Sequence, residues 1–131
     1  MSALGLDIMQ FDSQTYPLWD RQAALLRLAG SEVLLDNIVA IFLNQIKGTT
    51  ASLTGAIAQA DAEQVRHFSH YLKGSSGDVG LSRLFAFCEV FERAAKAGEV
   101  DSIAQRKDAF LQVVDDSVAC LQAHLQQQQQ Q

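Results

Sequence analysis

The chain has a single proline, Pro17, so nothing in residues 18–131 forbids long helices. Apolar residues in that stretch recur at intervals of three and four, and β-branched alternation is missing. Leu35, Ile38, Phe42 and Ile46 share one helical face, which Leu53 and Ile57 resume. Val65, Phe68 and Leu72 mark a second face. Leu81, Leu84, Phe85, Cys88, Phe91 and Ala95 mark a third, and Ile103, Phe110, Val114, Leu121 and Leu125 a fourth. Ala, Leu and Gln are common, and all three favour helix. The pattern predicts an all-α protein.

Turn and capping residues set the boundaries. A short helix over 18–28 is expected to stop at Gly30. Ser31 caps the next, with Glu32 in its first turn, and that helix is expected to reach about residue 59. Gly48, Thr49 and Thr50 weaken its middle. Asp61 followed by Gln64 opens a third helix, which should end among the glycines between 76 and 80. A fourth closes at Gly98, and a last one is expected over 101–125. Four sizeable amphipathic helices with short connections predict an antiparallel four-helix bundle with a short additional N-terminal helix. The expected organisation is an N-terminal segment, 1–17, loose or lying across the bundle, then the bundle, 18–125. A polyglutamine tail, 126–131, has no apolar group to bury and is expected to be disordered.

Composition excludes several functions. The net charge is −5 and the ten Lys and Arg are scattered apart from a small cluster near His70, which argues against nucleic acid as a partner. No apolar stretch approaches the roughly 18 residues of a spanning helix, and residues 1–10 lack the pattern of a secretory signal. A cytoplasmic monomer is expected. Cys88 and Cys120 lie in apolar helical patterns and read as reduced core thiols. His67 and His70, with Cys88 or Asp78, lack the paired spacing of zinc sites, so no metal is expected. The run Gly74-Ser75-Ser76-Gly77 follows no strand, unlike a hydrolase nucleophile elbow. There is no glycine-rich nucleotide loop, and 131 residues leave no room for an ATP-binding domain beside the bundle. The chain is expected not to be an enzyme in its own right.

What remains is the stretch from Ser69 to Gly80. His70 falls off the apolar face of its helix and should point to solvent. Its neighbours one turn away are Arg66 and His67 on one side, Lys73 and Gly74 on the other. An exposed imidazole between cations is suited to carry a phosphoryl group, because the cations balance its charge. Glycine inside a helix costs about 0.5–1 kcal/mol against alanine, so Gly74 calls for a reason, and close approach of a partner is one. Ser75 and Ser76 are expected to bond back to carbonyls a turn earlier.

The order His70-x-Leu72-Lys73-Gly74-Ser75-Ser76, then Gly80, Leu84, Cys88 and Glu92, resembles the histidine-containing phosphotransfer (HPt) domain family. It is especially similar to the HPt modules at the C-terminal end of hybrid sensor kinases. The resemblance covers roughly residues 20–121, with Phe42 in the long helix and Asp61 opening the motif helix. It implies that His70 is the phospho-acceptor and that Lys73 balances phosphoryl charge. A polar residue on the neighbouring helix often orients the histidine in this family; Glu92 holds that place, though an ordinary salt-bridging glutamate reads equally well there. Arg66, His67, Gly74 and Gly77 are the expected partner-docking residues. Ser69 departs from the small apolar residue common before the histidine, but it too is small. The implied partners are receiver domains of response regulators and a hybrid sensor kinase. The Mg²⁺ would belong to the receiver, and this chain would need no cofactor of its own. The alternative is a non-phosphorylated helical adaptor that binds a receiver or sensor kinase with the same face.

Overall fold

The computed structural model describes residues 8–129. Among them there is no strand. A 3-10 turn at Ser13–Thr15 precedes six helices: α1 (Arg21–Arg27), α2 (Glu32–Ala58), α3 (Ala62–Val79), α4 (Ser82–Lys96), α5 (Val100–Gln105) and α6 (Lys107–Gln129). α2 packs against α3 and α6, and α4 packs against the same two, so α2, α3, α4 and α6 close into a four-helix bundle. Only residues 59–61 separate α2 from α3, and only 80–81 separate α3 from α4. Links that short between packed neighbours force each helix to reverse its predecessor.

Local chemistry sets the helix starts. The Asp20, Ser31 and Asp61 side chains each accept a bond from a first-turn amide, at Ala23, Leu34 and Gln64 respectively. α2 runs unbroken through Gly48. α3 ends at Gly80, which takes the left-handed conformation with φ +84°. The core is aromatic at its centre. Phe87, Phe91 and Phe110 pack within 5.5 Å of one another, ring centre to ring centre, and Phe11 meets Phe87 at 5.0 Å. Fully burying each such ring is worth about 1.5–3 kcal/mol. The described part of the N-terminal segment packs on the bundle through fully buried Ile8 and through Phe11; residues 1–7 fall outside the described residues.

Two expectations are corrected. The last helical stretch, expected as one helix over 101–125, is divided into α5 and α6 by Arg106, whose backbone leaves the helical range. From there Arg106 Nη2 donates to the carbonyl oxygen of Phe11 at 2.8 Å, and the guanidinium lies over the Phe87 ring. That contact spans 95 residues, so the local period carries no trace of it. The glutamine tail, expected to be disordered, instead continues α6 through Gln129. Glutamine is a good helix former, and extending an existing helix adds a backbone hydrogen bond per residue without a new nucleus. Residues 130–131 lie outside the described part.

Candidate functional site

α3 and α4 are a tight hairpin, and their packing brings together residues 22 positions apart. His70 projects from α3 into solvent, with 69% of its side chain exposed. Glu92 comes from the facing side of α4, where its carboxylate is buried to 6% exposure. His70 Nδ1 lies 2.6 Å from Glu92 Oε2. Lys73 Nζ donates to the other oxygen, Oε1, at 3.1 Å. The three residues form one connected group, buried at the carboxylate and open at the imidazole.

Burial alone would raise the Glu92 pKa. Hydrogen bonds from Lys73 and His70, and the charges behind them, more than offset it, and the carboxyl is held below its ordinary value. Glu92 is therefore an anion at neutral pH and can only accept. The hydrogen between it and His70 sits on Nδ1, which leaves the Nε2 lone pair of a neutral ring directed outward. A buried carboxylate thus selects the tautomer of an exposed imidazole, and Nε2 is the ring nitrogen that keeps its lone pair.

The other expected residues divide. Gly74 is exposed, and a Cβ built there would meet nothing within 4 Å. No packing demand explains this glycine. Gly77 differs, because a Cβ there would lie 3.2 Å from Cδ2 of Phe85. Its missing side chain lets that ring close against α3, a packing duty separate from any partner. Arg66 and His67 are exposed one turn before His70, and neither belongs to the hydrogen-bonded group around Glu92. His67 instead lines a groove between α2 and α3 with Gln45, Thr49 and Tyr71. The groove continues past Ile41, Tyr71 and Gly74. Ile41 and Tyr71 are about half exposed, at 55% and 48%. An apolar strip therefore runs along the α2 side of His70.

Ser75 Oγ donates back to the carbonyls of Tyr71 and Leu72, as its type predicts. Ser76 does not: it is fully buried and its hydroxyl finds no partner, as for Ser69. Both supply small size where α3 meets its neighbours. Cys88, one turn before Glu92, is fully buried, and burial pushes its thiol far up, so it is no nucleophile. Among the described residues no cluster of His, Cys, Asp or Glu is arranged to hold a metal.

One participant escaped the sequence reading. Lys96 Nζ stands 3.9 Å from Glu92 Oε1. The i, i+4 spacing of a glutamate before a lysine was the available signal.

Residues 37–131 match the family profile described as Hpt domain. The chain belongs to the Hpt domain family. A solved structure, histidine-containing phosphotransfer protein B (HptB) from Pseudomonas aeruginosa PAO1, superimposes with a TM-score of 0.69 at 24% sequence identity. The match covers 87% of this chain and 96% of that one, and at this identity it speaks for the fold. No curated protein matches the chain in sequence. As an Hpt domain the protein has a histidine phosphotransfer role in a phosphorelay. No helix among the described residues is long and apolar enough to cross a membrane.

Proposed function

We propose that this Hpt domain is a phosphorelay carrier that accepts a phosphoryl group on Nε2 of His70 from the aspartyl phosphate of a receiver domain and passes it to another receiver. The observation that carries the reading is the 2.6 Å contact between Nδ1 of the exposed imidazole and buried Glu92; in the neutral ring that contact places the proton on Nδ1 and leaves the Nε2 lone pair available. The Nε2 lone pair attacks phosphorus, a P–N bond forms, the acyl P–O bond breaks and the aspartate leaves as a carboxylate. The ring keeps its Nδ1 proton and becomes a phosphoimidazolium, whose positive charge Glu92 offsets. The return transfer is the same path reversed, since both linkages are energetic. Lys73 lies one turn from His70 and supplies a cation to the phosphoryl oxygens.

The receiver docks on the strip beside His70, with Gly74 giving clearance and Ile41 and Tyr71 giving apolar contact. Arg66 and His67 border it. Catalytic Mg²⁺ belongs to the receiver, and this chain acts as a cytoplasmic monomer without a cofactor of its own. A hybrid sensor kinase is the upstream source.

The test is incubation with a phosphorylated receiver domain. Wild type should acquire an acid-labile, base-stable label, and His70→Gln should acquire none. Binding of the receiver without any label on wild type would favour a non-phosphorylated adaptor instead.

A further inference from the structure

The Glu92 carboxylate is contacted by more cations than its resting state needs. Oε1 has Lys73 Nζ at 3.1 Å and Lys96 Nζ at 3.9 Å, while Oε2 holds His70 Nδ1. Lys73 is mostly buried, with 23% of its side chain exposed, and is seated on the carboxylate. Lys96 is 57% exposed and stands off beyond hydrogen-bond length. The two lysines come from different helices and converge on the same oxygen.

Phosphorylation sets these roles in conflict. Nδ1 and Nε2 flank Cε1 in the imidazole ring, and their bonding directions diverge. A lysine that holds Oε1 beside Nδ1 is turned away from a phosphoryl group on Nε2. A Lys73 Nζ drawn to the oxygens of a phosphoryl group on Nε2 gives up its 3.1 Å bond to Oε1. Glu92 would then be a nearly buried carboxylate with one oxygen stripped of its cation, a state that buried ions avoid. Glu92 would lose part of what holds its pKa low, and with it part of its grip on the Nδ1 proton.

We propose that Lys96 is a positioning residue that replaces Lys73 on Glu92 Oε1 when the phosphoryl group draws Lys73 away, so that Glu92 stays ionised and keeps His70 oriented through the transfer. The proposal rests on the assignment of His70 as phospho-acceptor. Lys96 touches neither the phosphoryl group nor the imidazole; it acts through Glu92. Its position in the last turn of α4 and its exposed, flexible stem allow the short closing movement. Bond making is unchanged: the P–N bond forms as the donor's P–O bond breaks, and the Nδ1 proton stays in place.

The test uses the whole chain with phosphoramidate as phosphodonor and ³¹P NMR to follow the label on His70. Lys96→Met should slow labelling about fivefold, the order of one partly exposed charge pair. Lys96→Arg should restore the rate. In a Glu92→Gln background, Lys96→Met should have no effect, because no carboxylate remains to be neutralised. The ¹⁵N signals of the His70 ring should be unmoved by Lys96→Met at rest and shifted at Nδ1 in the phosphorylated protein. Normal labelling of Lys96→Met, failure of arginine to rescue, or an equal loss in the Glu92→Gln background would each overturn the role of Lys96 alone. No label on His70 in wild type would overturn the carrier reading, and this inference with it.

Discussion

His70 and Glu92 are 22 residues apart in the chain, yet Nδ1 and Oε2 meet at 2.6 Å because α3 and α4 are joined by only two residues. The pair divides one task between an exposed ring that must meet a partner and a buried anion that must not move. Burial keeps water from competing for the carboxylate, and Lys73 and His70 hold it charged, with Lys96 standing off at 3.9 Å.

Replacing that anion by a neutral isostere isolates the charge. Glu92→Gln retains an oxygen that can accept from Nδ1 but cannot offset a phosphoimidazolium. Losing one charged hydrogen bond costs about 1.5–3 kcal/mol, roughly one to two decades in transfer rate. The fold should persist. Stability carries a second signature. The folded Glu92 pKa is depressed, so its contribution is fully present above the ordinary carboxylate value of about 4.3 and fades as pH falls through the lower folded value. Urea melts of wild type and Glu92→Gln should differ most near neutrality and converge as the medium is acidified. A gap that widens on acidification would mean that Glu92 is not held as an anion.

Lys73 should behave differently from a structural lysine. Lys73→Ala removes a cation from Glu92 at rest and from the phosphoryl group during transfer. The rate should fall by about one to two decades, the equivalent of a lost charge-assisted contact of ~1.5–3 kcal/mol. Far-ultraviolet circular dichroism should remain that of a helical bundle. A wild-type rate in Lys73→Ala would remove the lysine from the mechanism.

Gly74 sets stability against function. A Cβ at this position meets nothing, so no steric penalty opposes a side chain there. Gly74→Gln should raise stability by up to about 1 kcal/mol through helix propensity. The same side chain projects into the strip beside Ile41 and Tyr71 where a receiver is proposed to dock. Transfer from a receiver should slow, while labelling by small phosphoramidate should not. A variant that melts higher and transfers at the wild-type rate would show that the glycine has no role in docking.

The parts of this structure that were legible in the sequence are the local ones. Capping by Ser31 and Asp61, the stop at Gly80, and the helical faces all rest on residues within a turn or two of each other. The motif around His70 was legible for the same reason, since His70, Lys73 and Gly74 are neighbours on one helix. Glu92 was only half legible: its place in the apolar stripe of α4 was visible, but its partner lay on another helix. The break at Arg106 was hidden, because its cause is the carbonyl of Phe11. So was the pairing of His124 with Asp36 at 2.7 Å, which ties α6 to α2 across 88 residues. Periodicity reports which face of a helix is buried and is silent on what faces it.

Gly80 is where local and distant constraints coincide. It ends α3 with φ +84°, a conformation that costs a residue with a Cβ about 1–3 kcal/mol. Its surroundings add to this. A Cβ at Gly80 would lie 2.5 Å from the backbone oxygen of Asp20 and 3.1 Å from Cβ of Ala24, both of α1's first turn or its cap. That close approach exists because the segment before α1 is laced onto the end of α3 and the start of α4. Asp20 N donates to Gly80 O at 2.7 Å, Trp19 Nε1 donates to Val79 O at 2.8 Å, and Arg83 Nε donates to Tyr16 O at 2.9 Å. Gly80→Ala must either strain the turn or push α1 away and break these bonds. The expected loss is about 2–4 kcal/mol, the sum of the conformational strain and at least one broken hydrogen bond. Gly80 lies ten residues beyond His70, about 15 Å along α3 at the rise of a helix, so the phosphotransfer rate of the folded variant should stay near wild type. Urea unfolding combined with phosphoramidate labelling of the folded variant at low temperature separates the two effects. An unchanged unfolding midpoint would show that the α3 turn tolerates a side chain after all.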